Sequence, residues 1–199
     1  GQILLSTRRY AYIGRKLARI VGSTSAVLGE HARRGKFRPY GLEIGFGRNQ
    51  ELPPLQIPLD HGMTMEIGGR IDRVDVARLG EDLYVRILDY KSSRTMLRLS
   101  DVYHGLALQL LTYMEAVLEH AEAWLGQPAK PAGVLYVHVH EPLLQKKNAP
   151  SPEAARQEAF RSYQMKGLVS SSLEAVRLMD ELLDKGARSD IIPVGLKKD

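Results

Sequence analysis

The stretch from Gly68 to Lys91, GGRIDRVDVARLGEDLYVRILDYK, constrains the fold more than any other part of the chain. Residues 70–77 and 83–91 alternate with the period of two that marks β-strands, and the connector Arg78-Leu79-Gly80-Glu81-Asp82 supplies the glycine and acids that hairpin turns favour. Side chains alternate between faces, so matching the apolar faces fixes the register. Pairing Val76 with Val85 sets Val74 opposite Ile87 and Asp72 opposite Asp89. Directly opposed Cβ atoms lie roughly 4.5–5.5 Å apart, and Lys91 follows Asp89 on the same face. The predicted hairpin therefore has an apolar face that ends in Asp72, Asp89 and Lys91.

Two facing carboxylates repel unless a cation lies between them. Oxygen ligands at that spacing suit a hard divalent ion such as Mg²⁺, with Mn²⁺ as a substitute. Such an ion polarises a phosphoryl oxygen and lowers the pKa of water. A neighbouring lysine orients that water or offsets charge that develops in the transition state. The competing reading is a strand pair whose acids reach solvent, with Lys91 as a surface ion-pair partner. A lone D-x-K tripeptide favours that alternative; a second Asp in matching register favours the metal site.

Along the chain, residues 6–34 read as a basic helix or helix pair, with Ile13, Leu17, Ile20, Val21, Val27 and Leu28 at helical spacing and Gly22-Ser23 as an expected interruption. Residues 40–47 read as a short strand carrying Glu43. Pro53, Pro54 and Pro58 make 49–62 a loop or edge segment, and 63–68 a strand feeding the hairpin. A helix is expected from an N-cap at Ser100 to about Trp124, stopped by Gly126. On it Val102, Leu106, Gln109 and Tyr113 share one stripe, which makes Gln109 a polar group on an apolar face. Either its amide bonds a loop carbonyl, or Gln109 and Tyr113 reach the acidic end of the hairpin. Residues 133–140 read as a strand with His138 and His140 on one face, a weak zinc signal because no further Cys or His is nearby. Helices are expected over about 152–165 and 172–184, and 191–194 as a last strand or extended arm. Neither glycine-rich phosphate-loop pattern is present.

At 199 residues the chain fits one domain with a sizeable core. It opens on Gly1, so it is expected to be a piece of a longer polypeptide. It contains no cysteine, hence no disulfide and no thiolate-held zinc or iron–sulfur cluster, as a reducing, cytoplasmic setting would allow. No apolar run approaches 18 residues, so no membrane span is expected. The net charge of +5 is unevenly placed: residues 1–48 hold ten Lys and Arg against two Glu, and residues 49–199 are net negative. A basic segment beside an acidic metal site suits a polyanion such as DNA or RNA; a solvated helix face is the alternative.

G-x-I-D-R-x-D followed by a strand ending D-Y-K-S resembles the RecB-like branch of the PD-(D/E)XK nucleases, and Gln109-Leu110-Leu111-Thr112-Tyr113 resembles the Q-x-x-x-Y motif of that branch. The runs YHGLALQLLTYMEAVLEHAEAWLG and PAGVLYVHVHEP are similar to the nuclease domain of AddB-type helicase–nuclease subunits. The resemblance covers nearly the whole chain. It implies an α/β fold with a mixed central sheet flanked by helices. It also implies an exodeoxyribonuclease-type, Mg-dependent phosphodiesterase serving double-strand-break repair and recombination, with DNA and an AddA-type subunit as partners. Asp72, Asp89 and the Tyr90 carbonyl would hold metal, Lys91 would assist hydrolysis, and Gln109 and Tyr113 would support the site. Glu43 resembles a glutamate often found before the first Asp, and equally reads as an edge-strand charge. Three features depart from the pattern. The cysteines that flank this domain in AddB-type proteins are missing, and so is the helicase-like portion. The metal-binding upstream histidine is unmatched, because the context of His31 does not fit that motif. A non-enzymatic DNA-holding domain on the same fold is the rival, although such a relic would be expected to have lost one of the two acids or the lysine.

Overall fold

A computed structural model describes residues 8–92, 108–139 and 151–198. Helix α1 (Arg8–Arg34) leads into strand β1 (Arg38–Phe46), the short strands β2 (Leu55–Pro58) and β3 (Thr64–Ile67), and the hairpin β4 (Gly69–Leu79) and β5 (Asp82–Lys91). Helices α2 (Gln109–Glu119) and α3 (Ala121–Leu125), strand β6 (Lys130–His138), helix α4 (Pro152–Ser162), strand β7 (Lys166–Val169) and helix α5 (Leu173–Met179) follow.

The hairpin adopts the register that the valines dictate: Val76 pairs with Val85, Val74 with Ile87 and Arg73 with Leu88. Its turn is tighter than expected. Leu79 pairs with Asp82, and Gly80 takes φ +58°, a conformation that costs glycine little. β5 is the middle of a five-stranded sheet ordered β1-β4-β5-β6-β7, antiparallel to β4 and parallel to β6. A parallel neighbour needs a crossover connection, and α2 and α3 lie on it. The fold is thus the expected mixed sheet flanked by helices.

Both faces of β5 are covered, and every residue from Leu83 to Asp89 is buried. On one face Val74, Val85, Ile87 and Val134 pack against Leu110, Met114 and Val117 of α2. On the other, Tyr84, Leu88, Leu135 and Val137 pack against Val176 and Met179 of α5 and the wholly buried Ile191 and Ile192.

Several expectations shift. α1 is one helix through Gly22 and Ser23, which its length tolerates at a modest propensity cost. β3 pairs with β2 in a separate two-stranded sheet and does not extend the central one. The last helix ends at Met179, so Leu182 is exposed while Leu183 is buried from the following turn. Residues 191–194 are no strand; their isoleucines plug the second core. β7, which the sequence reading missed, has its four residues all half-buried, too short and too weakly patterned to register as a strand. Ser100, Val102, Leu106 and His140 lie outside the described residues. Among the described residues no helix is long and apolar enough to cross a membrane.

Candidate active site

The site forms where β4 and β5 part. Ladder pairing runs as far as Arg73 and Leu88, and beyond it the Tyr90 backbone N–H donates to Asp72 Oδ2 at 2.8 Å. Ile71 and Val74 both enter the same core although their parity would send them to opposite faces, so the alternation of β4 breaks between them, at Asp72. The neighbouring strand is distorted at the same level. Leu42 pairs with Arg73 and Ile44 with Ile71, and between them Glu43, across from Asp72, has φ +54°, a strained conformation for a non-glycine residue.

Asp89 is buried, and Lys91 Nζ stands 2.8 Å from its Oδ2. The approach is too oblique for a hydrogen bond, so this buried oxygen has a counter-charge yet receives no proton. Burial raises the Asp89 carboxyl above its ordinary range, the charge of Asp72 raises it further, and Lys91 opposes both. The Asp89 carboxylate in turn raises Lys91, keeping its ammonium charged. Two carboxylates in mutual repulsion, one with an unmet buried oxygen, form a donor set that a hard cation fits. Among the described residues no three His, Asp or Glu side chains gather. The set therefore matches Mg²⁺, which takes one or two carboxylates and completes its shell with water and substrate phosphate.

β6 adds a residue that the sequence reading did not single out. Parallel pairing sets Tyr136 beside Asp89 and His138 beside Lys91. Lys91 Nζ lies 5.7 Å from the Tyr136 ring centre, within reach of its π-face. Burial raises the Tyr136 phenol, helped by the Asp89 charge. The β5–β6 register, invisible in either strand alone, brings Tyr136 there.

Gln109 and Tyr113 are joined: the Gln109 amide donates to Tyr113 Oη at 2.7 Å. Gln109 is exposed at the first described turn of α2, a correction to its expected place on the apolar face, which Leu110, Met114 and Val117 occupy. Tyr113 packs edge-on against Phe46, their ring centres 5.7 Å apart, and beside Gly69, where a Cβ would lie 3.2 Å from the Tyr ring. Among the described residues no hydrogen bond joins either to Asp72, Asp89 or Lys91; Tyr113 adds only a minor influence on Tyr136.

Glu43 points to solvent and sits 3.7 Å from Arg70. His31 belongs elsewhere, buried on the other side of the sheet against Phe160, with neither ring nitrogen hydrogen-bonded. The basic segment divides. Arg8, Arg9, Arg15, Lys16 and Arg19 are exposed along α1, whereas Arg33, Arg34, Lys36 and Arg48 pair with acids and Arg38 bonds backbone carbonyls.

Comparison with known proteins agrees with this architecture. Over essentially its whole length the chain is 50% identical to AddB of the ATP-dependent helicase/deoxyribonuclease from Bacillus velezensis and to its counterpart in Bacillus subtilis, and 48% identical to that of Geobacillus kaustophilus. It spans 17% of the length of each of these relatives. Residues 2–185 match the profile of a nuclease family with a mixed sheet of this kind, and the chain belongs to the PD-(D/E)XK nuclease superfamily.

Proposed function

We propose that the chain is the nuclease domain of a helicase–nuclease subunit and hydrolyses DNA phosphodiester bonds during double-strand-break repair and recombination. The observation that carries this reading is the buried Asp89 carboxylate, held beside Asp72 and Lys91 with one oxygen lacking a hydrogen bond. Asp72, Asp89 and the Tyr90 carbonyl would hold Mg²⁺ or Mn²⁺. The ion would supply Lewis acidity toward the scissile phosphate and make water more acidic. Lys91, kept charged by Asp89, donates to the attacking water or to a phosphate oxygen as negative charge builds. Tyr136 walls the lysine, and Gln109 with Tyr113 shapes the rim. The exposed cations of α1 track the phosphate backbone. The names of the relatives support a partnership with an AddA-type subunit in the cytoplasm. Any iron–sulfur cluster would take its ligands from outside this cysteine-free chain.

In the intact complex, Asp89→Ala should abolish cleavage by this domain and weaken Mn²⁺ binding, while DNA binding survives. Lys91→Ala should abolish cleavage with metal binding nearly intact, because an ammonium donates to water or phosphate and not to the ion. Cleavage by both variants at the wild-type rate in saturating Mg²⁺ would leave the fold as a DNA-holding scaffold.

A further inference from the structure

Behind the candidate site lies a charged cluster that the proposed chemistry does not use. Asp75 is wholly buried on the other face of the sheet. Arg73 donates to it from Nε at 2.6 Å and Nη2 at 3.0 Å, and Arg86 from Nε at 2.9 Å and Nη2 at 2.7 Å. The buried Arg86 guanidinium also lies 4.8 Å from the Phe37 ring centre. Two cations on one anion leave an excess positive charge in the core. Burying charge is expensive, and apolar residues of similar volume often replace such clusters at no cost in stability. Stability alone therefore does not explain the cluster.

Its remaining contact does. Arg73 Nη1 donates to Tyr90 Oη at 3.1 Å. Tyr90 stands between Asp89 and Lys91, with its ring toward the cluster and its backbone N–H bonded to Asp72 Oδ2. It is thus held from both faces of the sheet, at the point where β4–β5 ladder pairing has stopped and nothing else in the ladder fixes the strand.

We infer that Arg73 and Tyr90 are positioning residues: the cluster anchored on Asp75 sets where the Asp89–Tyr90–Lys91 end of β5 stands relative to Asp72. The inference rests on the nuclease reading. Partners of this kind typically change metal affinity or activity by about 10–100-fold when removed. Because Arg73 and Tyr90 act through one bond, losing either should cost the same as losing both.

The test uses the intact helicase–nuclease complex with Tyr90→Phe, Arg73→Lys, the double variant and Asp89→Asn. Mn²⁺ binding is read by electron paramagnetic resonance without nucleotide, and the difference from Asp89→Asn isolates this site. Cleavage is measured at saturating metal, and amide exchange across β5 reports the fold. Each single variant should weaken Mn²⁺ binding or cleavage about tenfold, the double no further, with β5 protection unchanged. Wild-type Mn²⁺ binding and cleavage by Tyr90→Phe would overturn the inference, as would losses that multiply in the double variant or accompany loss of β5 protection. If Asp89→Asn itself binds Mn²⁺ and cleaves like wild type, the nuclease reading fails and takes this inference with it. If only Asp89→Asn is impaired, the nuclease reading stands and this inference alone falls.

Discussion

Replacing His31 by methionine separates a core residue from a site residue. Burial, reinforced by the charges of Arg86 and Arg34, lowers the His31 pKa from 6.5 to about 4. The unfolded chain takes up a proton near pH 6.5 and the folded chain only near pH 4. The stability tied to this imidazole is therefore present above pH 6.5 and is lost as pH falls from there toward 4. A pKa unit is worth about 1.4 kcal/mol, so between pH 7 and pH 5 the folded state loses about 2 kcal/mol through this one group. Both ring nitrogens lack partners, so methionine gives up no hydrogen bond and fills a comparable volume against Phe160. His31→Met should be within about 1 kcal/mol of wild type at pH 7 and should gain about 2 kcal/mol on it at pH 5. Hydrogen exchange of the slowest β5 amides in the intact protein, corrected for the pH dependence of intrinsic exchange, measures both values. DNA cleavage should be unchanged. Parallel pH profiles for variant and wild type would refute the titration argument. Lost cleavage with β5 protection intact would make His31 part of the site after all.

Two further perturbations address the surface and the packing. Reversing Arg15, Lys16 and Arg19 to Glu should weaken DNA binding with little sequence preference and flatten its salt dependence; a wild-type log–log salt slope in the variant would remove α1 as a phosphate track. Gly35→Ala should destabilise by roughly 1–3 kcal/mol, because the added Cβ would lie 2.5 Å from Met179 O and 2.9 Å from Leu178 O, backbone atoms that cannot swing aside; equal hydrogen-exchange protection of α5 in both forms would contradict it.

The hairpin was legible in the sequence because period-two alternation and a glycine turn are local signals, and apolar matching permits one register. That register already placed Arg86 opposite Asp75 and brought Asp72 toward Asp89. The Gly126 stop was equally local: it takes φ +82° at the end of α3. What lay outside the sequence was relation between segments. Only the parallel pairing of β5 with β6 brings Tyr136 to Lys91, because a crossover connection leaves register to packing and not to turn chemistry. Only burial on both faces turns Arg73, Asp75 and Arg86 from ordinary strand polars into one buried cluster. The amide of Gln109 looked buried because helical spacing fixes which residues share a stripe but not which stripe meets the sheet, and packing chose Leu110, Met114 and Val117. His31 read as a candidate ligand unmatched to any motif; the fold buried it far along the other face, where desolvation and two arginines keep it neutral. Local periodicity sets each element and its own faces, whereas the partners of each face, and so the charge a side chain can carry, are set by the packing of the whole.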